Sequence, residues 1–78
     1  MPTVLRIGPF RFFFYSNENN EPLHIHVENG EKVAKYWLEA VQLASSHGFR
    51  SHELTQLRAL VIEHRDKFVE AWHEHFGN

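Results

Sequence analysis

An alternating stretch at residues 21–28 limits the folds open to this chain more than any other feature. Its sequence, Glu-Pro-Leu-His-Ile-His-Val-Glu, alternates polar and apolar side chains, which predicts a β-strand with one buried face. One face carries three apolar side chains, those of Leu23, Ile25 and Val27. The other face carries two imidazoles and a carboxylate, those of His24, His26 and Glu28. Neighbours on this second face lie about 7 Å apart, so they can act on one ion or substrate.

The dipeptide Asn29-Gly30 follows this strand directly and predicts a hairpin, because both residues tolerate the positive φ of a type I′ turn. Residues Lys32–Leu38 form the predicted partner strand. Two earlier strands are predicted on either side of a Gly-Pro turn, at Thr3–Ile7 and Phe10–Ser16. A polar turn at residues 17–22 then leads into the alternating strand.

Phenylalanine at every second position gives the second predicted strand one strongly apolar face, made of Phe10, Phe12 and Phe14. Its other face is mixed and carries Arg11, Phe13 and Tyr15. The apolar face therefore requires a cover, and the mixed face can meet solvent.

The C-terminal half of the chain reads as helical. Residues Ala40–His47 predict a short helix or turn that Gly48 closes. A single long helix is predicted over Ser51–Phe76, where the side chains on one stripe recur every three or four residues: Leu54, Leu57, Val61, His64, Phe68 and Trp72. We therefore expect an α+β fold, with a small antiparallel sheet of about four strands, a short helix, and one long C-terminal helix packed on the phenylalanine face.

Length and composition are those of one small domain covering residues 1–78. A chain of this size is only marginally stable, and the absence of cysteine excludes disulfides, thiolate metal sites and a cysteine nucleophile. A hydrophobic fraction of 42% with seven Phe residues supports a compact aromatic core.

Net charge and hydropathy limit where the protein is expected to be located and which ligands it is expected to bind. No leader-like segment opens the chain and no apolar run approaches the length of a membrane span, so we expect a cytoplasmic protein without membrane association. The formal charge of −2, with acidic and basic residues mixed along the chain, gives no footprint for strong nonspecific nucleic-acid binding. Seven histidines make the net charge unusually sensitive to mild acid.

A candidate site follows if the strands pair in sequence order. The sheet face opposite the helix then carries the predicted catalytic residues His24, His26, Arg11 and Tyr15. Arg11 and Lys35 are the predicted substrate-binding cations. An imidazole beside a phenol and cations suits ribonuclease or other phosphate-directed chemistry, and RNA supplies its own 2′-hydroxyl nucleophile. The alternative is a solvated face with cross-strand ion pairs of about 1 kcal/mol or less.

A second alternative for the same strand is a metal site. His24, His26 and Glu28 are ligand types that suit zinc, iron or nickel, although the His-x-His spacing is a weak signal by itself. No cofactor other than such a divalent ion is expected. The remaining paired histidines, His73 and His75, fit the last turn of a helix, where the helix dipole favours a protonated imidazole.

Several segments together resemble a bacterial family known as domain of unknown function 4160. They are Met1–Arg6, Arg11–Ser16, Asn20–Val27 with its Pro-x-His-Ile-His-Val motif, Gly48-Phe49, and Trp72 with Phe76. Leu23 departs from a proline expected in that motif. The resemblance implies a small component of a bacterial toxin and antitoxin pair, encoded beside a protein of uncharacterised family 2442. It implies a cognate partner protein and supplies no reaction and no catalytic residues.

The combined prediction is a toxin-like component of such a module that acts on RNA or another phosphate-bearing target through the His, Arg and Tyr face. The alternative is a noncatalytic protein-binding module or antitoxin-like partner. The expected partners are the small protein from the neighbouring gene, RNA, and a second copy of the chain.

Overall fold

Five antiparallel strands follow one another along the chain and pair in the order β1-β2-β3-β4-β5. The computed structural model describes residues 3–15 and 21–77. The strands are β1 Thr3–Ile7, β2 Phe10–Phe13, β3 His24–Asn29, β4 Lys32–Trp37 and β5 Gln42–His47. Two helices follow, α1 Ser51–Glu63 and α2 Arg65–Phe76. The predicted α+β class, with an antiparallel sheet before C-terminal helices, is confirmed.

Both predicted hairpins form. Gly8 and Gly30 both adopt positive φ, 56° and 64°. Asn29 does not, contrary to the predicted type I′ turn: it is the last residue of β3 and pairs with Lys32, so the two loop residues are Gly30 and Glu31. The strand β2 ends at Phe13, so it is shorter than the predicted Phe10–Ser16. The polar turn predicted over residues 17–22 lies outside the described residues, apart from its last two positions.

The segment predicted as a short helix or turn is instead the fifth strand. Val41 precedes it with a φ of 40°, and β5 pairs with β4 from Trp37 opposite Gln42 to Val33 opposite His47, with one register shift between Lys35 and Tyr36. The prediction failed because alanine and leucine favour helices locally, whereas the open edge of β4 offers this backbone a row of hydrogen-bond partners. Gly48, with a φ of 91°, then redirects the chain towards α1.

The single long helix predicted over residues 51–76 is two helices. His64 separates them with a φ of −107° and ψ of 16°, outside the helical region. Its Nδ1 lies 3.0 Å from the carbonyl oxygen of Leu60, and Arg65 at the start of α2 donates from Nε to the Leu38 carbonyl at 2.5 Å. These two contacts redirect the helix at a position without proline or glycine, so the apolar stripe alone could not show the break.

The core lies between the helices and the phenylalanine face of the sheet. Phe12 and Phe14 are buried and Phe10 is half-buried against the same core, as predicted. Phe12 stacks on Phe68 with ring centroids 5.1 Å apart, and Phe14 meets Trp72 edge-on at 5.3 Å. In the part of the chain that the structure describes, no helix is long and apolar enough to cross a membrane.

Tyr36 ties the sheet to α1. Its hydroxyl donates to the Leu54 carbonyl at 2.7 Å, and burial raises the pKa of the phenol above its ordinary value, an effect that the nearby charge of Arg58 partly offsets. A buried hydroxyl with a carbonyl partner fixes where the first turn of α1 sits on the sheet.

Candidate functional site

A row of side chains crosses the sheet on the face opposite the helices, here called the outer face. Direct antiparallel pairing places Phe13 beside His26, His26 beside Lys35, and Lys35 beside Ser45. Adjacent strands lie about 4.8 Å apart, so the four residues span about 14 Å from β2 to β5. The row brings an aromatic ring, an imidazole, an ammonium and a hydroxyl into line.

Two aromatic rings hold His26 in place. The Phe13 ring stacks on the imidazole with centroids 5.5 Å apart, and Tyr15 meets it edge-on at 4.7 Å. Phe13 is buried beneath these neighbours, His26 is half-buried, and Tyr15 remains 41% exposed. His26 therefore combines a fixed ring position with access to solvent, which a proton-transfer group needs.

Arg11 lies at one side of this cluster and already has a carboxylate partner. Its Nη1 forms a salt bridge with Glu28 directly across on β3, and its Nε donates to the Thr3 hydroxyl at 2.8 Å. The guanidinium also lies 4.5 Å from the centroid of the Phe13 ring. The structure thus brings Arg11 to the outer face, as predicted, and it also shows the cross-strand ion pair expected of a solvated face.

Lys35 is placed in a similar way. Its Nζ lies 2.6 Å from a carboxylate oxygen of Glu21 and 4.6 Å from the centroid of the Trp37 ring. Both predicted substrate-binding cations are therefore on the outer face, and each has a carboxylate beside it. An anionic ligand must compete with those carboxylates.

His24 is not on an open surface, contrary to the prediction. Its side chain is 0% exposed, and its ring lies 4.9 Å from the ring of Trp72 in α2, 5.8 Å from Trp37 and 5.0 Å from His26. Its Nδ1 lies 2.8 Å from the carbonyl oxygen of Pro22, which accepts from the ring N–H. The alternation placed His24 on the correct side of the strand, but Trp72 covers the beginning of β3.

The structure does not gather the predicted metal ligands. Glu28 is turned to Arg11, His24 is enclosed by aromatic rings, and His26 lies between them on the strand. Across residues 3–15 and 21–77, no group of three His, Cys, Asp or Glu side chains is arranged to hold a metal ion.

A groove of about 350 Å³ opens over the row at the β4 and β5 end of the outer face. We call it the outer groove; its lining includes Tyr15, His26, Val33, Lys35, Ser45 and His47. Sequence reasoning missed Ser45 and His47 because they lie in the segment predicted as a short helix or turn. Their spacing of two residues was the available signal, since it places both side chains on one face of a strand.

The two C-terminal histidines lie where the sequence placed them, in the last turn of α2. The Gly77 N–H donates to the carbonyl oxygen of His73 at 2.8 Å, and Gly77 takes the left-handed conformation with a φ of 74°. The His75 ring stacks over Phe14, with centroids 6.2 Å apart. Neither residue lines the outer groove.

Comparison with known proteins supports one assignment. No curated protein and no solved structure matches the chain. The model of one family, described as domain of unknown function (DUF4160), matches residues 10–73. That match covers most of the chain, including the strands β2 to β5, the whole of α1 and the buried side chains of α2. The chain therefore belongs to the DUF4160 family.

Proposed function

We propose that this protein is the toxin-like component of a bacterial two-protein module and that it cleaves single-stranded RNA in the outer groove. The observation that carries the RNA proposal is the fixed, partly exposed imidazole of His26 between Phe13 and Tyr15, next to the ammonium of Lys35. The toxin role rests on the family resemblance, and it would place the protein in the cytoplasm.

The groove favours an unpaired strand over a duplex. Single-stranded RNA is recognised through bases that stack on aromatic side chains, often across a sheet, and Tyr15 offers an exposed ring at the groove edge. A phosphate next to that base would lie within reach of Lys35. Because Glu21 already neutralises Lys35, phosphate binding exchanges one anion for another, and we expect modest affinity.

The chemistry requires no cofactor. His26 takes the proton from the ribose 2′-hydroxyl, and the resulting oxygen attacks the adjacent phosphorus while the bond from phosphorus to the 5′-oxygen breaks. The products are a 2′,3′-cyclic phosphate and a 5′-hydroxyl end, and the departing oxygen receives a proton from a second group. Positioned proton transfer of this kind contributes about 10²- to 10⁴-fold to a rate.

A matched pair of variants tests the proposal. The purified protein, His26→Ala and His73→Ala are incubated with a fluorescent single-stranded oligoribonucleotide, and each is also induced in bacteria. We expect cleavage and growth arrest with the parent and with His73→Ala, whose imidazole is exposed at the far end of α2, and at least 10²-fold slower cleavage with His26→Ala. A parent protein that neither cuts the oligonucleotide nor slows growth would refute the proposal.

A second candidate function is a noncatalytic, antitoxin-like module that binds a small partner protein. The observation that favours it is an apolar groove of about 610 Å³ where Phe10 meets α1, lined also by Ala59, Leu60 and Ile62. Ile62 is 48% exposed and adds apolar surface to this groove. An apolar segment of the partner would cover it.

Co-purification with the neighbouring gene product tests this second candidate. We expect the parent to retain the partner and Ile62→Glu to lose it, with unchanged circular dichroism, because Ile62 lies outside the buried core. A partner bound equally by both proteins would exclude this groove. A dimer of the parent that Ile62→Glu converts to a monomer would instead assign the groove to a second copy of the chain.

A further inference from the structure

The proposed reaction needs a second proton-transfer group, and the strand β5 supplies one. His47 lies opposite Val33, which in turn lies opposite Glu28 on β3. His47 follows Ser45 by two residues on β5, so both side chains lie on the outer face. His47 is exposed, and it lines the outer groove together with His26.

The two imidazoles stand at opposite ends of the groove. They are separated by two strand spacings across the sheet and two residues along it, which gives about 12 Å between their Cα atoms. Val33, whose apolar side chain is partly exposed, and Lys35 lie on the strand between them. This separation leaves space between the rings for a phosphodiester and the ribose that carries it.

The geometry of the proposed reaction requires the two imidazoles to lie on opposite sides of the bound phosphodiester. In an in-line displacement, the attacking and departing oxygens are on opposite sides of phosphorus, so the base and the acid must approach from opposite sides as well. Tyr15 contacts His26 itself and shares its end of the groove. His24 is enclosed in the core, and Arg11 is bound by Glu28 and does not release its proton in proteins.

We propose that a phosphodiester of RNA binds between His26 and His47, and that His47 donates the proton to the departing 5′-oxygen. This inference rests on the proposed ribonuclease function and adds to it the group that completes the step. The proton that His26 gains from the 2′-hydroxyl and the proton that His47 loses balance over one turnover, and exchange with water restores both imidazoles.

The test uses two substrates that differ only in the departing group. One is a dinucleoside phosphate, whose 5′-oxygen must be protonated as it leaves. The other is uridine 3′-(para-nitrophenyl phosphate), whose phenolate leaves as a stable anion without a proton. The parent, His47→Ala, His26→Ala and the control His73→Ala are assayed on both, with circular dichroism to verify folding.

We expect His47→Ala to lose at least 10²-fold in rate on the dinucleoside phosphate and to stay within about threefold of the parent on the para-nitrophenyl substrate. His26→Ala should lose activity on both, because the 2′-hydroxyl must give up its proton in either case. A folded His47→Ala that is as active as the parent on the dinucleoside phosphate would overturn the inference and leave the ribonuclease proposal standing.

Equal losses on the two substrates in His47→Ala would show that the residue positions RNA and does not act as the acid, which also overturns the inference. A parent that is inactive on both substrates would remove the ribonuclease proposal, and the role of His47 with it.

Discussion

Two histidines on one strand, two residues apart, have different environments and therefore different roles. The ring of His24 is packed against Trp72 and its Nδ1 is satisfied by the Pro22 carbonyl, so it belongs to the core. The ring of His26 is held from two sides but reaches solvent. A variant at His24 therefore tests folding, and a variant at His26 tests the proposed chemistry.

The stability of His24→Ala should reflect that burial. Removing a fully buried ring leaves a cavity beside Trp72 and removes the hydrogen bond from Nδ1 to the Pro22 carbonyl, and we expect a loss of about 2 to 4 kcal/mol in the free energy of unfolding. The value expected for an open surface position is below about 1 kcal/mol. Urea denaturation of the variant, with His73→Ala as the exposed control, measures the difference; equal midpoints for the two variants would contradict this placement.

At the scale of elements, alternation and turn chemistry were sufficient to predict β1 to β4, because the glycines at the two turns and the phenylalanine repeat report local geometry directly. The strand β5 was not predictable in the same way, since its pairing with β4 is a tertiary effect that outweighs the helix preference of its residues. The sequence placed His26, Tyr15, Arg11 and Lys35 on one face of the sheet, as the structure does, but it did not place His47 there, because His47 lies in the segment predicted as a short helix or turn. The burial of His24 beneath Trp72 is also a tertiary contact, and the alternation of residues along β3 carries no information about it.

A carboxylate and two hydrogen-bond donors hold the start of α1. Arg50 occupies the N-cap position, and its backbone N–H donates to the Glu53 carboxylate at 2.9 Å. That hydrogen bond, helped by the Lys32 ammonium at 3.1 Å, lowers the pKa of Glu53 below its ordinary value of 4.5. The ionised carboxylate joins the first turn of α1 to the first residue of β4.

A pH-dependent loss of stability follows from the lowered pKa of Glu53. A carboxyl group with a lower pKa in the folded state contributes stability that is present above its unfolded pKa and is lost as the pH falls through the folded value. Glu53→Gln should therefore have a lower urea midpoint than the parent at pH 7, and the gap should narrow when the pH is lowered well below 4.5, as the carboxylate of the folded parent becomes protonated. Glu74→Gln, at an exposed position of α2, is the matched control; a gap of equal size at both pH values would show that the charge of Glu53 contributes nothing.

For the whole molecule, stability depends on one layer of contacts between the sheet and the two helices. Phe68 and Trp72 are 0% and 1% exposed, and they reach Phe12, Phe14 and His24 on the sheet. A lone helix of the length of α2 is barely stable in water, so the helices persist only while they are packed on the sheet. Sheet and helices should unfold in one transition.

Truncating either aromatic residue of α2 should remove most of the stability of the protein. Phe68→Ala and Trp72→Ala should each cost about 3 to 5 kcal/mol, which approaches the whole free energy of unfolding expected for a chain of this length. Thermal melts followed in the far ultraviolet should show both variants largely unfolded at 37 °C, with His73→Ala close to the parent. A sheet signal that survives loss of the helical signal would show that the two layers are not cooperative.

The order of the elements along the chain also determines when the core can close during synthesis. All five strands precede the helices, and each strand pairs with its neighbour in sequence, so the hairpins can form through short loops as soon as they leave the ribosome. Their phenylalanine face, however, has no cover until Phe68 and Trp72 have been translated. At about 5 to 20 residues per second, the nascent sheet exposes that face for seconds. A chaperone that binds aromatic segments therefore has access to this face of the sheet until α2 emerges and covers it.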